Sequence, residues 1–181
     1  MPEQDLKALH DFIKSSRNQS SSFIIKEFLA TIIKRKHISE YGSVLIDRPI
    51  LERLVLFNEK DFLHNEGYLE QGHPWTKEFG YFEGIAGRAF RTREIQVANN
   101  AKENPEFSIG EGEVPIANLV CAPILFNSSD TNKPFGVVSF HNASIEKEFT
   151  DHDIDIIRAY TDALGLMLEL ADNKFEWKKG E

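Results

Sequence analysis

Cysteine is almost missing: Cys121 is the single example in 181 residues. One thiol excludes an intramolecular disulfide framework and any Cys-rich zinc module. Long apolar runs are missing too, and no stretch approaches the roughly 20 residues that a membrane span needs. The opening segment, Met1 to Asp11, carries acids and no apolar run, so it does not read as a secretory signal. The six histidines are scattered, with no His-x-x-x-His pair. Asp151, Asp153 and Asp155 resemble the start of a calcium loop, but Ile156 stands where that loop needs glycine. No metal is expected. Basic residues are outnumbered 21 to 29, giving a net charge of −8, and the acidic excess lies in residues 49–181. A nucleic-acid surface needs clustered Lys and Arg to displace counterions. Neither nucleic acid nor membrane is therefore an expected partner, and a reducing cytoplasm is the expected compartment.

What is present is an ordinary globular composition, 41% apolar, with 14 phenylalanines to give a core its bulk. Leu6, Leu9, Phe12 and Ile13 form a helical stripe. A polar, Ser-rich break at 15–22 follows, and Ser20, Ser21 and Ser22 offer N-caps for a second helix. That helix carries apolar residues from Phe23 to Ile33 over more than one narrow face, so it should be buried or shared with a partner. Lys34-Arg35-Lys36 reads as a solvated helix end. Val44-Leu45-Ile46 and Leu54-Val55-Leu56-Phe57 read as two antiparallel strands around Pro49. A short helix is expected over Asp61 to Glu70. Another runs from Glu83 to Phe90, followed by a brief strand at 95–97 and a long polar loop at 98–115 with one helical turn. Leu119 to Phe126 and Phe135 to Phe140 are apolar at nearly every position, so both strands should be covered on both faces. The last helix starts at Thr150-Asp151-His152-Asp153, a capping-box pattern, and repeats Ile157, Tyr160, Leu164, Met167 and Ala171 at helical spacing.

Five segments together resemble the GAF domain family, a small-molecule regulatory module. They are Gly84-Ile85-Ala86-Gly87-Arg88-Ala89, Ile95 to Asn99, Cys121-Ala122-Pro123-Ile124, Phe135 to Asn142, and Phe149-Thr150-x-x-Asp153. The resemblance implies an α+β fold: an antiparallel sheet of about six strands, the N- and C-terminal helices on one face, and loops and short helices enclosing a pocket on the other. It also implies dimerisation through the terminal helices. The expected organisation is an N-terminal helix and break (1–19), one GAF-like domain (20–173) and a tail (174–181). With no output region in the chain, a separate output protein is the expected partner.

Candidate site residues follow from this placement. Gly84, with Ile85 and Ala86 after it, begins a helix that could bring backbone N–H groups to an anion; the plainer reading is a tight strand-to-helix turn. No Lys-Ser/Thr ending follows, so a P-loop is excluded. Phe82 precedes this turn. Asn99, Asn100 and Phe107 lie in the long loop, where an aromatic ring and amides can hold a planar ligand; turn chemistry is the alternative. Cyclic-nucleotide-binding members of the family carry a Phe-x-x-x-Asp-Glu pattern; Phe107 and Glu111 match it in part, and Gly112 breaks the acidic pair. Cys121, Ser139 and His141 sit on the two strong strands. Cys121 reads first as a small hydrophobe, and His141 as a strand-end cap or a group at the pocket rim. The ligand is left as an unspecified small molecule or nucleotide. The expectation is a non-catalytic sensor. The alternatives are a dimeric interaction scaffold whose pocket has closed, and a methionine sulfoxide reductase, which one cysteine disfavours.

Overall fold

Two N-terminal helices, α1 (Glu3–Ser16) and α2 (Ser21–Ala30), open the chain. The computed structural model describes residues 3–57, 63–64, 67–68, 78–107, 116–126 and 134–172. Ser20 caps α2, its side chain accepting from the Phe23 N–H. The helix then widens into a π turn over Thr31–Arg35, where the Lys36 N–H reaches back to the Thr31 carbonyl. The basic end is not simply solvated: Lys36 pairs with Asp5 of α1, both largely buried, and Arg35 pairs with Glu27.

Among the described residues eight strands follow: β1 (Tyr41–Arg48), β2 (Arg53–Leu56), β3 (Leu63–His64), β4 (Gly67–Tyr68), β5 (Glu78–Gly80), β6 (Gln96–Ala98), β7 (Asn118–Ile124) and β8 (Gly136–Asn142). They form one antiparallel sheet, six strands across in the order β5-β2-β1-β8-β7-β6. The β3–β4 pair joins the first residues of β1, on the edge that β2 takes further along. This corrects the helix expected over 61–70: its described residues are these two short strands. Helix α3 (Gly84–Thr92) crosses between β5 and β6, and α4 (Asp151–Asp172) closes the fold.

Strand alternation sorts the core into two layers. Val44, Ile46, Val120, Ala122, Ile124, Val138 and Phe140 point to one face, where α1, α2 and α4 bury Phe12, Phe28, Ile157, Tyr160 and Leu164 against them. Each such side chain contributes about 1.5–3 kcal/mol on burial. On the other face, Leu45, Leu119, Cys121 and Val137 meet Ile85, Ala86, Ala89 and Phe90 of α3. Strands β7 and β8 are thus covered twice, as their unbroken apolar runs require. The α4 cap is complete: the Thr150 N–H and hydroxyl both donate to the Asp153 carboxylate, and the Asp153 N–H donates to the Thr150 hydroxyl.

Candidate functional site

The face under α3 holds a polar band within an apolar surround. Register places Tyr41, His141 and Leu119 in one row across β1, β8 and β7, and Ser43, Ser139, Cys121 and Gln96 in the next. Leu45 and Val137 make a third, apolar row on the same face. The Tyr41 and His141 rings stack, with centroids 4.8 Å apart and planes 7° from parallel. The Cys121 thiol donates to the Ser139 hydroxyl at 3.8 Å. Ser139 and Tyr41 are half-buried, while Ser43 and His141 are buried. A phenol ring, an imidazole and two hydroxyls therefore share the face of the sheet on which α3 packs. Such a surface can hold a small ligand with a few hydrogen bonds and an apolar body.

Cys121 is 1% exposed. Burial pushes its thiol up to about 12, and the contact with Ser139 offsets this only in part. A thiol in that state is a poor nucleophile, since reactivity follows the thiolate. Iodoacetamide at pH 8 should alkylate the native chain roughly a thousandfold more slowly than the urea-unfolded chain. Mass spectrometry of timed samples checks this, and comparable rates would contradict the buried placement.

The glycine pair of α3 has a packing role. Gly84 takes φ +63°, the left-handed conformation glycine tolerates. A β-carbon on Gly87 would lie 2.7 Å from the Tyr81 carbonyl oxygen and 2.8 Å from that of Gly80. These residues seat α3 on the chain before it, and Arg88 ties the helix to Glu106 at 3.1 Å. Ile85 and Ala86 are buried in the layer beneath.

Three assignments change. Phe82 is 86% exposed and stacks under Arg91 rather than entering the band, because its neighbour Tyr81 takes the inward position against Phe90. The Asn99 amide is used within the fold: its Nδ2 donates to the Phe149 carbonyl at 3.1 Å and its Oδ1 accepts the Phe149 N–H at 3.0 Å. Asn100 contributes through its backbone, in the left-handed conformation at φ 58°, with its N–H on Asn118 Oδ1. Phe107 packs against the α3 layer. Glu111 lies outside the described residues.

Sequence reasoning missed the asparagines that pin this end of the sheet. Asn118 accepts the Asn100 N–H and donates to the carbonyls of Ser144 and Ile145. Asn142 accepts the Glu40 N–H and donates to the Lys147 carbonyl. Only their position at strand ends could have signalled them. No group of three metal-binding side chains occurs among the described residues. No described helix is long and apolar enough to cross a membrane.

A family model described as "GAF domain" matches residues 39–168. Solved structures share the fold at low identity. The GAF domain of an Acinetobacter phosphoenolpyruvate-protein phosphotransferase has a TM-score of 0.74 at 15% identity, covering 96% of this chain and 97% of its own. Free methionine-R-sulfoxide reductase from Neisseria meningitidis, in complex with its substrate, gives 0.73 at 14%, covering 97% and 96%. Residues 122 to 287 of a methyl-accepting chemotaxis protein give 0.71 at 12%, covering 90% and 98%. A search of curated proteins returned no match.

Proposed function

The chain belongs to the GAF domain family, and from that premise we propose that it is a non-catalytic regulatory module that binds a small molecule between α3 and the sheet. The observation that carries this reading is the polar band of Tyr41, His141, Ser43 and Ser139, set beside apolar Leu45, Leu119 and Val137. A few hydrogen-bonding groups in a mostly apolar site fix a ligand's orientation and give it specificity. One structural neighbour is a sulfoxide reductase. Thiol-based reduction needs an accessible thiolate, and the sole cysteine here is buried and held protonated. That supports binding rather than turnover.

The signal leaves through the terminal helices, paired as a homodimer in the cytoplasm, to a separate output protein. Most apolar residues of α2 and α4 are buried in the chain's own core. Leu166 and Leu170, four residues apart on α4, stay exposed and supply the dimer seam. Ligand binding shifts the population between two helix arrangements.

A thermal-shift screen of metabolites tests the site. The expected result is a compound that raises the melting temperature of the native chain. Ser139→Leu, which puts a branched side chain into the band, should weaken its binding by more than about tenfold, since the loss of one good contact costs that much. Compounds that shift both proteins equally would place binding elsewhere, and an inert screen would favour a closed interaction scaffold.

A further inference from the structure

We propose that a second cleft, at the β6–β7 edge on the helix side of the sheet, binds a free aliphatic α-amino acid by its zwitterionic head group. The cleft begins with Pro123. The Phe57 N–H donates to the Val44 carbonyl, so even-numbered residues of β1 bond β2 and odd-numbered ones bond β8; opposite them, odd-numbered residues of β8 bond β1 and even-numbered ones bond β7. By the same alternation, even residues of β7 bond β8, and Leu119, Cys121 and Pro123 face β6. Proline has no N–H to give, and the pairing with β6 stops at Cys121 opposite Gln96. Residues 93–95 diverge from β7 there, after a left-handed turn at Arg93 with φ 58°.

Helix α4 closes the opening from above. A β-carbon on Gly165 would lie 2.2 Å from the Leu125 carbonyl oxygen, so the helix rests on the end of β7. One to two turns earlier, Arg158, Thr161 and Asp162 line a cleft of about 410 Å³. That volume falls within the range of small-molecule sites, about 300–1,000 Å³. Two cations and two acids line it: Arg93 and Arg158, Glu94 and Asp162. A simple anion would meet the acids and a simple cation the arginines, whereas a zwitterion satisfies both. Guanidinium groups suit a carboxylate. Ile95, Ala122 and Leu125 complete the lining with apolar surface for an aliphatic side chain.

The second observation is Thr161. It is 2% exposed, and its hydroxyl finds no hydrogen-bond partner among the described residues. Thr161 lines the polar cleft, and a buried hydroxyl that lacks an acceptor is one that a bound carboxylate can satisfy. Partial desolvation holds the Asp162 carboxyl above its ordinary range, with Arg158 drawing it part-way back. Because Ala122 faces the helices and Cys121 faces α3, this cleft and the polar band lie on opposite sides of the sheet.

Equilibrium dialysis of the full chain against radiolabelled L-leucine tests the proposal. Saturable binding in the millimolar range or tighter is expected. Thr161→Val and Arg158→Gln should each weaken it by about tenfold, the loss of one charge-assisted contact. Isocaproate and isoamylamine, each keeping half of the head group, should compete at least about tenfold less well than leucine. Circular dichroism checks that Thr161→Val folds, and Arg158 is exposed, so its replacement leaves the fold intact. No saturable binding, unchanged affinity in both variants, or isocaproate competing as well as leucine would overturn the proposal.

Discussion

Gly136→Ala is expected to destabilise the chain by at least about 3 kcal/mol, a large share of a typical domain's stability. A β-carbon at this position would lie 2.1 Å from the Leu45 carbonyl oxygen and 3.1 Å from the Ile46 α-carbon. Neither atom belongs to a side chain that can rotate away. Both lie in β1, which is held on its far edge by β2 through Leu45 opposite Leu56 and Ile46 opposite Val55. Moving β8 instead would strain its pairing with β7, where Ile124 stands opposite Gly136. The clash therefore falls on the centre of the sheet, and close-packed interiors absorb such insertions poorly. Urea denaturation should show a lower midpoint with an unchanged slope. A loss below about 1 kcal/mol would mean that β1 and β8 are not so closely apposed.

Asn118→Ala should cost about 3 kcal/mol, from a different cause. The side chain is fully buried, and its amide serves three backbone groups: the Asn100 N–H at 2.9 Å and the carbonyls of Ser144 and Ile145 at 2.9 and 3.3 Å. Alanine leaves all three without their partner, and an unmade hydrogen bond costs more than a made one contributes. Asn118→Asp separates this account from simple loss of volume. The carboxylate still accepts from Asn100 but cannot donate to the two carbonyls, so it should be no more stable than the alanine variant. Hydrogen exchange should also quicken at Asn100, whose left-handed backbone begins the turn leading to Phe107 and the α3 layer. Wild-type stability in the aspartate variant would contradict the assignment.

The elements that read clearly in the sequence are those whose burial is periodic or complete. Strands β7 and β8 are covered by α3 on one side and α4 on the other, so their composition is apolar at almost every position. Helix α4 announces itself through Thr150, Asp153 and the stripe Ile157, Tyr160, Leu164 and Met167, all of which are used as read. Two-residue strands such as Leu63–His64 have no period to detect, and the π turn at Thr31–Arg35 leaves the apolar pattern of its helix unchanged.

The polar band was legible by strand and not by orientation. Cys121, Ser139 and His141 fall on one face because alternation fixes them there. Phe82 and Asn99 carry suitable chemistry but serve elsewhere, Phe82 at the surface and Asn99 in a backbone clasp to Phe149, fifty residues away. No local signal marks such a long-range amide pair. Tyr41 and Ser43 were missed because a Tyr-Gly-Ser start to a strand looks like a turn; only the β1–β8 register brings them opposite His141 and Ser139. The edge cleft needed three facts at once: the direction of the Pro123 nitrogen, the turn at Arg93 and the seat of Gly165.

Isotope-labelled protein titrated with metabolites while its amide spectrum is recorded would decide whether the α3 face is a receptor surface. Saturating ligand should move the signals of Ser43, Cys121, Ser139 and His141 together with those of residues 85–90. A saturating ligand that leaves those residues unmoved while shifting others would contradict it, and so would a spectrum that no metabolite changes.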